Sequence, residues 1–338
     1  MISCCGNGGC EDSVESLIII GGGSAAFSAA TRAVELGAKK VTIINDGLPT
    51  GGTCVNVGCV PSKTLIRAAE SLHRATHNRF AGIKTSGILT DFSAVIEEKR
   101  QLVADLRQAK YVNVIQDLPQ VRLVKGHAKL LDARSVQVGE MRLSADHILI
   151  ATGATAGIPN IPGLSEAGYL TNESAFELET LPESLIVLGG RYIALECAQM
   201  FARLGSHVTV LQRSNRILPA ESEDITNALT GYLIEEGLEI LTAVAVERVH
   251  RGKQGVVVRA KSMVKVGNLP PRKFLWPPAV DPTPVIWAWK MPACCLMTAA
   301  IFKSVQRCKP RCPAFGRREM YWDRICLSTR RPTKARWR

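Results

Sequence analysis

The sequence predicts an α/β fold made of two Rossmann-like dinucleotide-binding units, both incomplete, followed by an irregular or disordered C-terminal tail. Two observations predict the units: the order strand, glycine-rich turn, helix, strand occurs in residues 16–44 and again in residues 184–211. The third observation is a change in composition. Residues 256–338 contain 18 Lys and Arg but three acidic residues, so the net charge of +12 resides in the tail and says little about partners of the rest of the chain.

The first unit begins with an apolar strand at residues 16–20 and the motif GGGSAA at residues 21–26. This is G-x-G-x-x-A between a strand and a helix, the context that gives the motif its meaning. Gly21 allows a tight turn, and Gly23 lets the backbone approach a pyrophosphate at the helix N-terminus. Ala26 is small enough for the helix to pack on the strand. The motif therefore predicts a dinucleotide site here.

The end of the second strand departs from the usual pattern. An acidic residue commonly stands there and binds a ribose, whereas this chain has Asn45, followed by Asp46. An Asn side chain still forms hydrogen bonds with hydroxyl groups but loses the charge-assisted bond. We therefore expect weaker nucleotide binding and an unchanged fold.

Residues 51–63, GGTCVNVGCVPSK, carry a pair of cysteines. Cys54 and Cys59 are five residues apart, after a Gly-Gly-Thr turn and before residues 64–75, which are predicted to be a helix. Cysteines with this spacing across the first turn of a helix can close a disulfide. A thiolate near a helix N-terminus is stabilised, so we expect a lowered pKa, and Lys63 adds positive charge. These features predict a redox-active dithiol. The alternative is a chance pair of buried or metal-binding thiols.

The second unit has a strand at residues 184–188 and the motif GGRYIALE at residues 189–196. Taken alone this motif is weak because Arg191 replaces the middle glycine, but the strand–turn–helix–strand context supports it. Arg213 and Arg216 follow the next strand in place of an acidic residue. Guanidinium groups suit a 2′-phosphate, which favours NADPH over NADH. The alternative is that both arginines are merely solvated.

The cysteine segment also carries a family resemblance. Residues 51–63 resemble the redox-helix signature of the flavin-dependent pyridine nucleotide–disulfide oxidoreductases, and VNVGCVPSK is most similar to mercuric reductases. Residues 126–128 resemble the family's turn at the adenine side of FAD, and residues 151–153 its ATG motif. The resemblance implies contacts with the cofactors FAD and NADPH at Gly21, Gly23, Ser24, Ala25, Ala26, Asn45, Gly47, Gly52, Thr53, Lys63, Ala128, Ala151, Thr152, Gly153, Gly189, Ile193, Arg213 and Arg216.

The same resemblance implies catalytic roles. Electrons would pass from NADPH through FAD to the Cys54–Cys59 disulfide, with Cys59 the charge-transfer thiolate near the flavin and Cys54 the interchange thiol. Lys63 would stabilise charge on the reduced flavin, Glu196 would pair with Lys63, and Tyr192 would cover the flavin on the nicotinamide side. Hg(II), bound by the two cysteines as substrate, would be reduced to Hg(0). Dihydrolipoamide dehydrogenase and glutathione reductase types are the alternatives within the family.

The predicted domain organisation has four parts. Residues 1–16 are a leader containing Cys4, Cys5 and Cys10, which we expect to be disordered, the alternative being transfer of a soft metal ion to the core. The first segment of the FAD-binding domain, with the redox helix, covers 17–157. A Pro- and Gly-rich linker separates it from an incomplete NADPH-binding domain at 158–258. The aberrant basic tail covers 259–338.

The resemblance to the family is continuous up to about residue 258 and then stops. Read one base out of register, residues 273–284 and 319–338 can encode ATGRRPNT and GDVLGQNMFVYTAAYEGALA, which look like later motifs of the family. We therefore expect a frameshift between about Val256 and Lys273. The chain would lack the second FAD segment, the dimer interface and the C-terminal cysteine pair, and be impaired, inactive or a non-catalytic remnant.

Composition argues against several other classes. Eleven cysteines could indicate a secreted disulfide scaffold, but the nucleotide motifs and the expected absence of a signal peptide favour a cytoplasmic enzyme. The apolar residues 284–302 are interrupted by Lys290 and Pro292, so no membrane partner is expected. A nucleic-acid-binding tail is disfavoured. So is a zinc site, since the spacing of Cys294, Cys295, Cys308 and Cys312 fits no usual pattern. The intact family member is expected to be a homodimer.

Overall fold

The computed structural model describes residues 15–78, 80–252, 255–262 and 285–287. All of them lie within one compact unit, residues 1–292. The leader cysteines and nearly all of the tail fall outside the described residues, so the interpretations of both stay predictions. Within the described ranges, no helix has the length and apolar character needed to cross a membrane.

The first part of the chain forms a parallel sheet with helices and a small antiparallel sheet. The strand order of the parallel sheet is β3-β2-β1-β7, and β4, β5 and β6 pair antiparallel. In chain order the elements are β1 (Ser16–Ile20), α1 (Ser24–Glu35), β2 (Lys40–Asn45), α2 (Gly52–Asn56), α3 (Cys59–Thr76), α4 (Phe92–Arg107), a π-helical turn (Gln108–Val112), α5 (Asn113–Gln116), β3 (Val121–Lys125), β4 (Ala128–Leu130), β5 (Ser135–Val138), β6 (Met141–Ser144) and β7 (His147–Ile150).

The second part repeats the plan. Its parallel sheet has the order β11-β10-β9-β14-β8, and β12 and β13 form an antiparallel hairpin. The elements are α6 (Leu164–Ala167), β8 (Leu170–Thr171), α7 (Asn172–Ala175), β9 (Ser184–Leu188), α8 (Tyr192–Leu204), β10 (His207–Leu211), α9 (Glu223–Glu235), β11 (Glu239–Leu241), β12 (Val244–Gly252), β13 (Gly255–Ser262) and β14 (Val285–Trp287).

Hydrophobic burial explains why these segments pair as they do. The central strands are continuous apolar runs, as expected for parallel strands covered on both faces: Ile19 and Val187 are fully buried. One core cluster contains Leu65 of α3 and Ile96 of α4 together with Phe201 of α8. The α/β fold with two Rossmann-like units is therefore confirmed. The domain boundary after residue 157 stays a prediction, since this core contains residues from both sides of it.

The cysteine segment is built differently from the sequence prediction. We expected a Gly-Gly-Thr turn and a helix from residue 64, but α2 already begins at Gly52 and α3 begins at Cys59. Gly51 caps α2 with φ +100°, and Gly52 has φ +61°. Because glycine adopts these left-handed angles without steric cost, the glycine pair can start a helix where the sequence suggested a turn.

Candidate active site

The N-terminus of α1 is prepared to bind an anion. Its N-cap residue is Gly23, no side chain caps this end, and the first turn contains no acidic residue. The backbone N–H groups of the first turn are thus available to a ligand. A Cβ on Gly21 would lie 2.0 Å from the Ala151 carbonyl oxygen, whereas a Cβ on Gly23 would meet nothing closer than Gly52 Cα at 3.8 Å. This close backbone turn with open space above the helix end fits a dinucleotide pyrophosphate.

Asn45 lies beside this turn and supports its own loop. Its Nδ2 donates to the Leu48 carbonyl oxygen at 2.9 Å, and a Cβ on Gly22 would come within 2.3 Å of its Oδ1. The neighbouring Asp46 contacts His127 Nδ1 at 2.9 Å through Oδ2, and both side chains are exposed. The predicted contact between Asn45 and a ribose stays a prediction, since one of its two amide hydrogens is already used.

The two cysteines lie where α2 meets α3. Cys54 is in α2, Cys59 is the first residue of α3, both are free thiols, and Cys59 lies close enough to Cys54 to influence its pKa. Gly58 makes this approach possible, because a Cβ there would lie 2.9 Å from the Thr53 carbonyl oxygen. The structure thus brings together the predicted pair, at the junction of two helices rather than within the first turn of one.

The expected lowering of the thiol pKa is wrong for Cys54. Burial raises the pKa of Cys54, and the hydrogen bond and charge interaction with Cys59 add to the rise. The positive charge of Lys110 acts in the opposite direction but does not outweigh them. Because desolvation disfavours the thiolate, Cys54 of the reduced pair stays protonated at neutral pH.

Tyr111 is a neighbour of the dithiol that sequence reasoning missed. It lies in the π-helical turn, its ring packs edge-on against Phe27 with centroids 4.9 Å apart, and a Cβ on Gly51 would lie 3.0 Å from its Cδ2. Burial raises the pKa of Tyr111, and the charges of Cys54 and Cys59 contribute to the rise. No local motif marks this tyrosine, because its contact with the cysteine segment depends on how α4 packs.

Lys63 of α3 and Glu196 of α8 form an ion pair, with 2.5 Å between Nζ and Oε1. The pairing is the one implied by the resemblance, while the role of each residue toward a flavin stays a prediction. Next to it, Cys197 is 2% exposed, and burial, followed by the charge of Glu196, raises its pKa to about 12. Cys197 is therefore a neutral thiol and no competitor of the Cys54–Cys59 pair.

A cavity of about 540 Å³ joins these features. Its lining includes the N-terminal end of α1, both cysteines of the pair and the ion pair between α3 and α8. The predicted site residues that line it are Gly23, Ser24, Ala25, Thr53, Cys54, Cys59, Lys63, Ala151, Gly153, Ile193 and Glu196. Those that lie elsewhere are Gly21, Ala26, Asn45, Gly47, Gly52, Ala128, Thr152, Gly189, Tyr192, Arg213 and Arg216.

Tyr192 does not line the cavity, although the next residue, Ile193, does. Its ring is 58% exposed, and its hydroxyl donates a hydrogen bond to the Glu221 carboxylate. That bond raises the pKa of the Tyr192 hydroxyl. Its expected role as a cover for the flavin stays a prediction.

The two arginines after β10 differ in their surroundings. Arg216 donates from Nη2 to the carbonyl oxygens of Pro219 and Glu221, each at 3.2 Å, and Nη1 lies 3.8 Å from Glu223 Oε2. Arg213 is exposed and has no ion pair or side-chain hydrogen bond within the described part of the chain. Arg213 is thus the arginine that is available to a 2′-phosphate.

Gln212 is a second residue that the sequence did not single out. Its Oε1 accepts from the Gly190 backbone N–H at 3.0 Å, and its Nε2 donates to the Arg216 carbonyl oxygen at 3.3 Å. Gln212 is 7% exposed, and its two bonds hold the glycine turn of the second unit against the loop that contains Arg213 and Arg216. Its position at a strand end was visible in the sequence, but its bonding partners were not.

The fold and this site define a class of oxidoreductase with two dinucleotide-binding units and a dithiol beside the cavity between α1, α3 and α8. Residues 15–268 match the profile of the family described as pyridine nucleotide-disulphide oxidoreductase. The chain belongs to the pyridine nucleotide-disulphide oxidoreductase family. Enzymes of this class use FAD and NADPH.

Curated relatives of the chain are mercuric reductases. That of Bacillus cereus is 43% identical over 265 residues, covering 75% of this chain and 42% of the relative. That of Lysinibacillus sphaericus is 44% identical over 241 residues, covering 71% of this chain and 43% of the relative. The chain thus spans less than half the length of these relatives.

Solved structures give the same fold. A Cu(II) complex of the HOCl-induced flavoprotein disulfide reductase RclA from Escherichia coli matches with a TM-score of 0.67 and 30% identity, covering 83% of this chain and 58% of that chain. A second structure of RclA matches with a TM-score of 0.67 and 29% identity, covering 82% of this chain and 57% of that chain. The similarity supports both nucleotide-binding units.

Proposed function

We propose that this chain carries the nucleotide-binding and dithiol part of a reductase that uses FAD and NADPH to reduce Hg(II) to Hg(0). One observation carries the proposal: a single cavity is lined by the anion-binding end of α1, the Cys54–Cys59 pair and the Lys63–Glu196 ion pair. A dinucleotide held by its pyrophosphate at α1 would thereby lie beside the dithiol. The mercuric reductase relatives supply the substrate class.

Each part of the chain has a role in this proposal. The first-turn N–H groups of α1 hold the pyrophosphate of FAD. When bound, FAD supplies two-electron transfer between NADPH and the dithiol. The ammonium group of Lys63, fixed by Glu196, places positive charge in the cavity, where it stabilises negative charge without reorganisation. Tyr192, as the resemblance implies, covers the nicotinamide side.

Cys54 and Cys59 act on the substrate. Thiolates are soft ligands and bind soft metal ions such as Hg(II). Because burial keeps Cys54 protonated, binding of Hg(II) to the pair releases a proton from this thiol. Cys59 is the thiol assigned to the flavin side, and Cys54 is the interchange thiol.

The second unit binds NADPH through the turn at Gly189 and the exposed guanidinium of Arg213. The loop held by Arg216 completes this site. The whole enzyme is proposed to be a cytoplasmic homodimer. The chain of 338 residues is proposed to bind FAD weakly and to turn over poorly, because its sequence leaves the family pattern after about residue 258.

A second candidate function is reduction of a small disulfide. The similarity to a flavoprotein disulfide reductase favours it, at 30% identity over 83% of this chain. The same cavity and dithiol serve either reaction. The substrates separate them: the first proposal expects NADPH oxidation with Hg(II) thiolates, and the second expects it with a disulfide.

The experiment begins with a titration of the full chain with FAD, in which the quenching of flavin fluorescence measures binding. We expect binding that the Gly23→Val substitution abolishes, because a branched side chain there fills the space above α1. Equal binding by both proteins would contradict the proposed cradle.

NADPH-dependent Hg(II) reduction is then measured for this chain and for a version in which the codons after residue 255 are read in the shifted frame. Activity in the second protein, lost on Cys59→Ser, supports the substrate proposal. Activity with disulfides alone supports the second candidate. Stoichiometric flavin and full Hg(II) reduction by the chain as it stands would contradict the proposed impairment.

A further inference from the structure

The segment before the dithiol is held by one buried amide. Asn56 is 8% exposed, and its Nδ2 donates to the carbonyl oxygens of Gly52 at 2.8 Å, Pro49 at 3.0 Å and Thr50 at 3.3 Å. Two of these carbonyls belong to the segment that leads into α2, and the third belongs to Gly52, the first residue of α2. The amide thus ties the entry of α2 to its last residue.

The same side chain has a partner on another helix. Asn56 Oδ1 accepts from Arg107 Nη1 of α4 at 3.1 Å. The bond settles the orientation of the amide, because an acceptor must face the guanidinium and the donors must face the carbonyls. Arg107 lies 51 residues further along the chain, so this contact connects the dithiol segment to a separate part of the core.

A third contact holds the chain between the two cysteines. Asn172, in α7, donates from Nδ2 to the Val57 carbonyl oxygen at 3.0 Å. Short helix α2 is therefore held by side-chain amides at its entry and at the residue that follows it. Without such bonds, a five-residue helix has little stability of its own.

We propose that Asn56, oriented by Arg107, is a positioning residue that sets the redox equilibrium of the Cys54–Cys59 pair. This inference rests on the proposed role of that pair as a redox dithiol. A disulfide requires the two Cα atoms to lie within about 7 Å with suitably directed Cβ atoms. By tying α2 to the segment before it and, through Arg107, to α4, Asn56 holds Cys54 in place beside Cys59 and keeps the two sulfur atoms at a high effective concentration.

The test is the exchange equilibrium of the full chain with glutathione. Oxidised glutathione accepts two electrons and two protons: its S–S bond breaks, a Cys54–Cys59 bond forms, and two glutathione thiols are released. After acid quenching and alkylation, trypsin yields residues 41–63 as one peptide that contains Cys54 and Cys59 and no other cysteine. Its mass reports the fraction of disulfide at each glutathione ratio, whether or not FAD is bound.

Three variants are compared with the wild type. Asn56→Ala removes the amide, and Arg107→Met removes its orienting partner while keeping a long side chain at that position. We expect the equilibrium constant for the disulfide to fall about tenfold in each, a shift of about 30 mV toward a less negative potential. The matched control is Gln101→Ala, which removes an exposed bond at 2.8 Å from Gln101 Nε2 to Asp105 Oδ1 on the same helix as Arg107. It should leave the equilibrium unchanged.

The outcomes separate this inference from the proposed function. If the wild type forms no Cys54–Cys59 disulfide at any glutathione ratio, the redox role of the pair fails and this inference fails with it. If the wild type forms it and the Arg107→Met chain matches the wild type, Asn56 is a structural residue and the inference alone is overturned. Arg107→Met decides the question if Asn56→Ala does not fold. An equal shift in the Gln101→Ala control would also overturn it.

Discussion

Lys63 Nζ and Glu196 Oε1 lie 2.5 Å apart and join helix α3, which begins at Cys59, to helix α8 of the second unit. Their side chains are 57% and 41% exposed, so solvent screens the attraction between them. The pair therefore adds little to the stability of the fold, and its main effect is to hold the ammonium group of Lys63 at the cavity.

This relationship predicts a separation between stability and cofactor binding. Glu196→Gln should shift the melting temperature of the chain by less than about 4 °C, since exposed ion pairs contribute roughly 0 to 1 kcal/mol. Lys63→Met should weaken FAD binding about tenfold, because it removes the positive charge from the cavity. Thermal unfolding and FAD titration measure the two effects. Lys39→Met, which breaks an exposed pair with Glu15, is the control and should change neither. A large loss of stability in Glu196→Gln would contradict the interpretation.

The two arginines of the second unit should differ in their effect on dinucleotide choice. Arg213→Gln should weaken binding of NADP⁺ by roughly ten- to a hundredfold, because a charge-assisted hydrogen bond contributes about 1.5–3 kcal/mol, and should leave NAD⁺ binding unchanged. Arg216→Gln should weaken both alike, because Arg216 holds the carbonyls of Pro219 and Glu221. Calorimetric titration with each dinucleotide measures this. Equal loss of both ligands in Arg213→Gln would show that Arg213 does not read the 2′-phosphate.

Motifs made of residues close together in sequence predicted the fold. They also predicted the half of the proposed site residues that line the cavity. The glycine turn at Gly21 and Gly23 and the cysteine spacing are local, and their geometry follows from a few neighbouring residues. The contacts of Asn56 with Arg107 and of Gln212 with Gly190 depend on distant segments meeting in the core, and no spacing rule encodes them.

Burial explains the error on Cys54. The sequence placed Cys54 near a helix N-terminus, where the dipole favours a thiolate, but it did not show how much solvent the thiol would lose. In the folded chain desolvation is the largest influence on this thiol and raises its pKa, against the lowering by the backbone hydrogen bond with Cys59 and by the charge of Lys110. Sequence reasoning gave the neighbours of this thiol along the chain, whereas the sign of the shift depends on its neighbours in space.

The hydroxyl of Tyr192 provides a spectroscopic test of its contact with Glu221. The hydrogen bond to the Glu221 carboxylate favours the neutral hydroxyl and raises the pKa of Tyr192. Glu221→Gln should therefore lower this pKa toward the ordinary tyrosine value. Tyrosinate absorbance is followed against pH, and subtraction of the Tyr192→Phe titration isolates the residue. Glu223→Gln changes a nearby carboxylate, at the start of α9, that is not bonded to Tyr192, and it should leave the pKa of Tyr192 in place. An unchanged titration in Glu221→Gln would mean that the bond does not form in solution.

The most buried charge among the described residues should govern part of the acid sensitivity of the fold. Lys99 is 1% exposed and pairs with the Glu177 carboxylate, which also accepts from Arg100 Nε at 2.8 Å. Burial would raise the pKa of Glu177, but the hydrogen bonds from Lys99 and Arg100 outweigh it and lower the pKa. The pair therefore stabilises the fold above the unfolded carboxyl pKa of about 4.3 and loses that contribution as the pH falls through the lower folded value.

Glu177→Gln should accordingly lower the free energy of unfolding at pH 7 by about 2 kcal/mol, because it leaves the buried ammonium of Lys99 without an anionic partner. This is less than the cost of breaking a fully buried pair, since the Glu177 side chain is 47% exposed and partly screened by solvent. The difference from the wild type should shrink as the pH falls below about 4. Lys99→Met should cost less, since it removes the buried charge and keeps most of the volume. Urea unfolding at several pH values measures all three proteins. Glu35→Gln, which breaks an exposed pair with Arg32, is the control. A Glu177→Gln chain as stable as that control would show that Lys99 does not depend on Glu177.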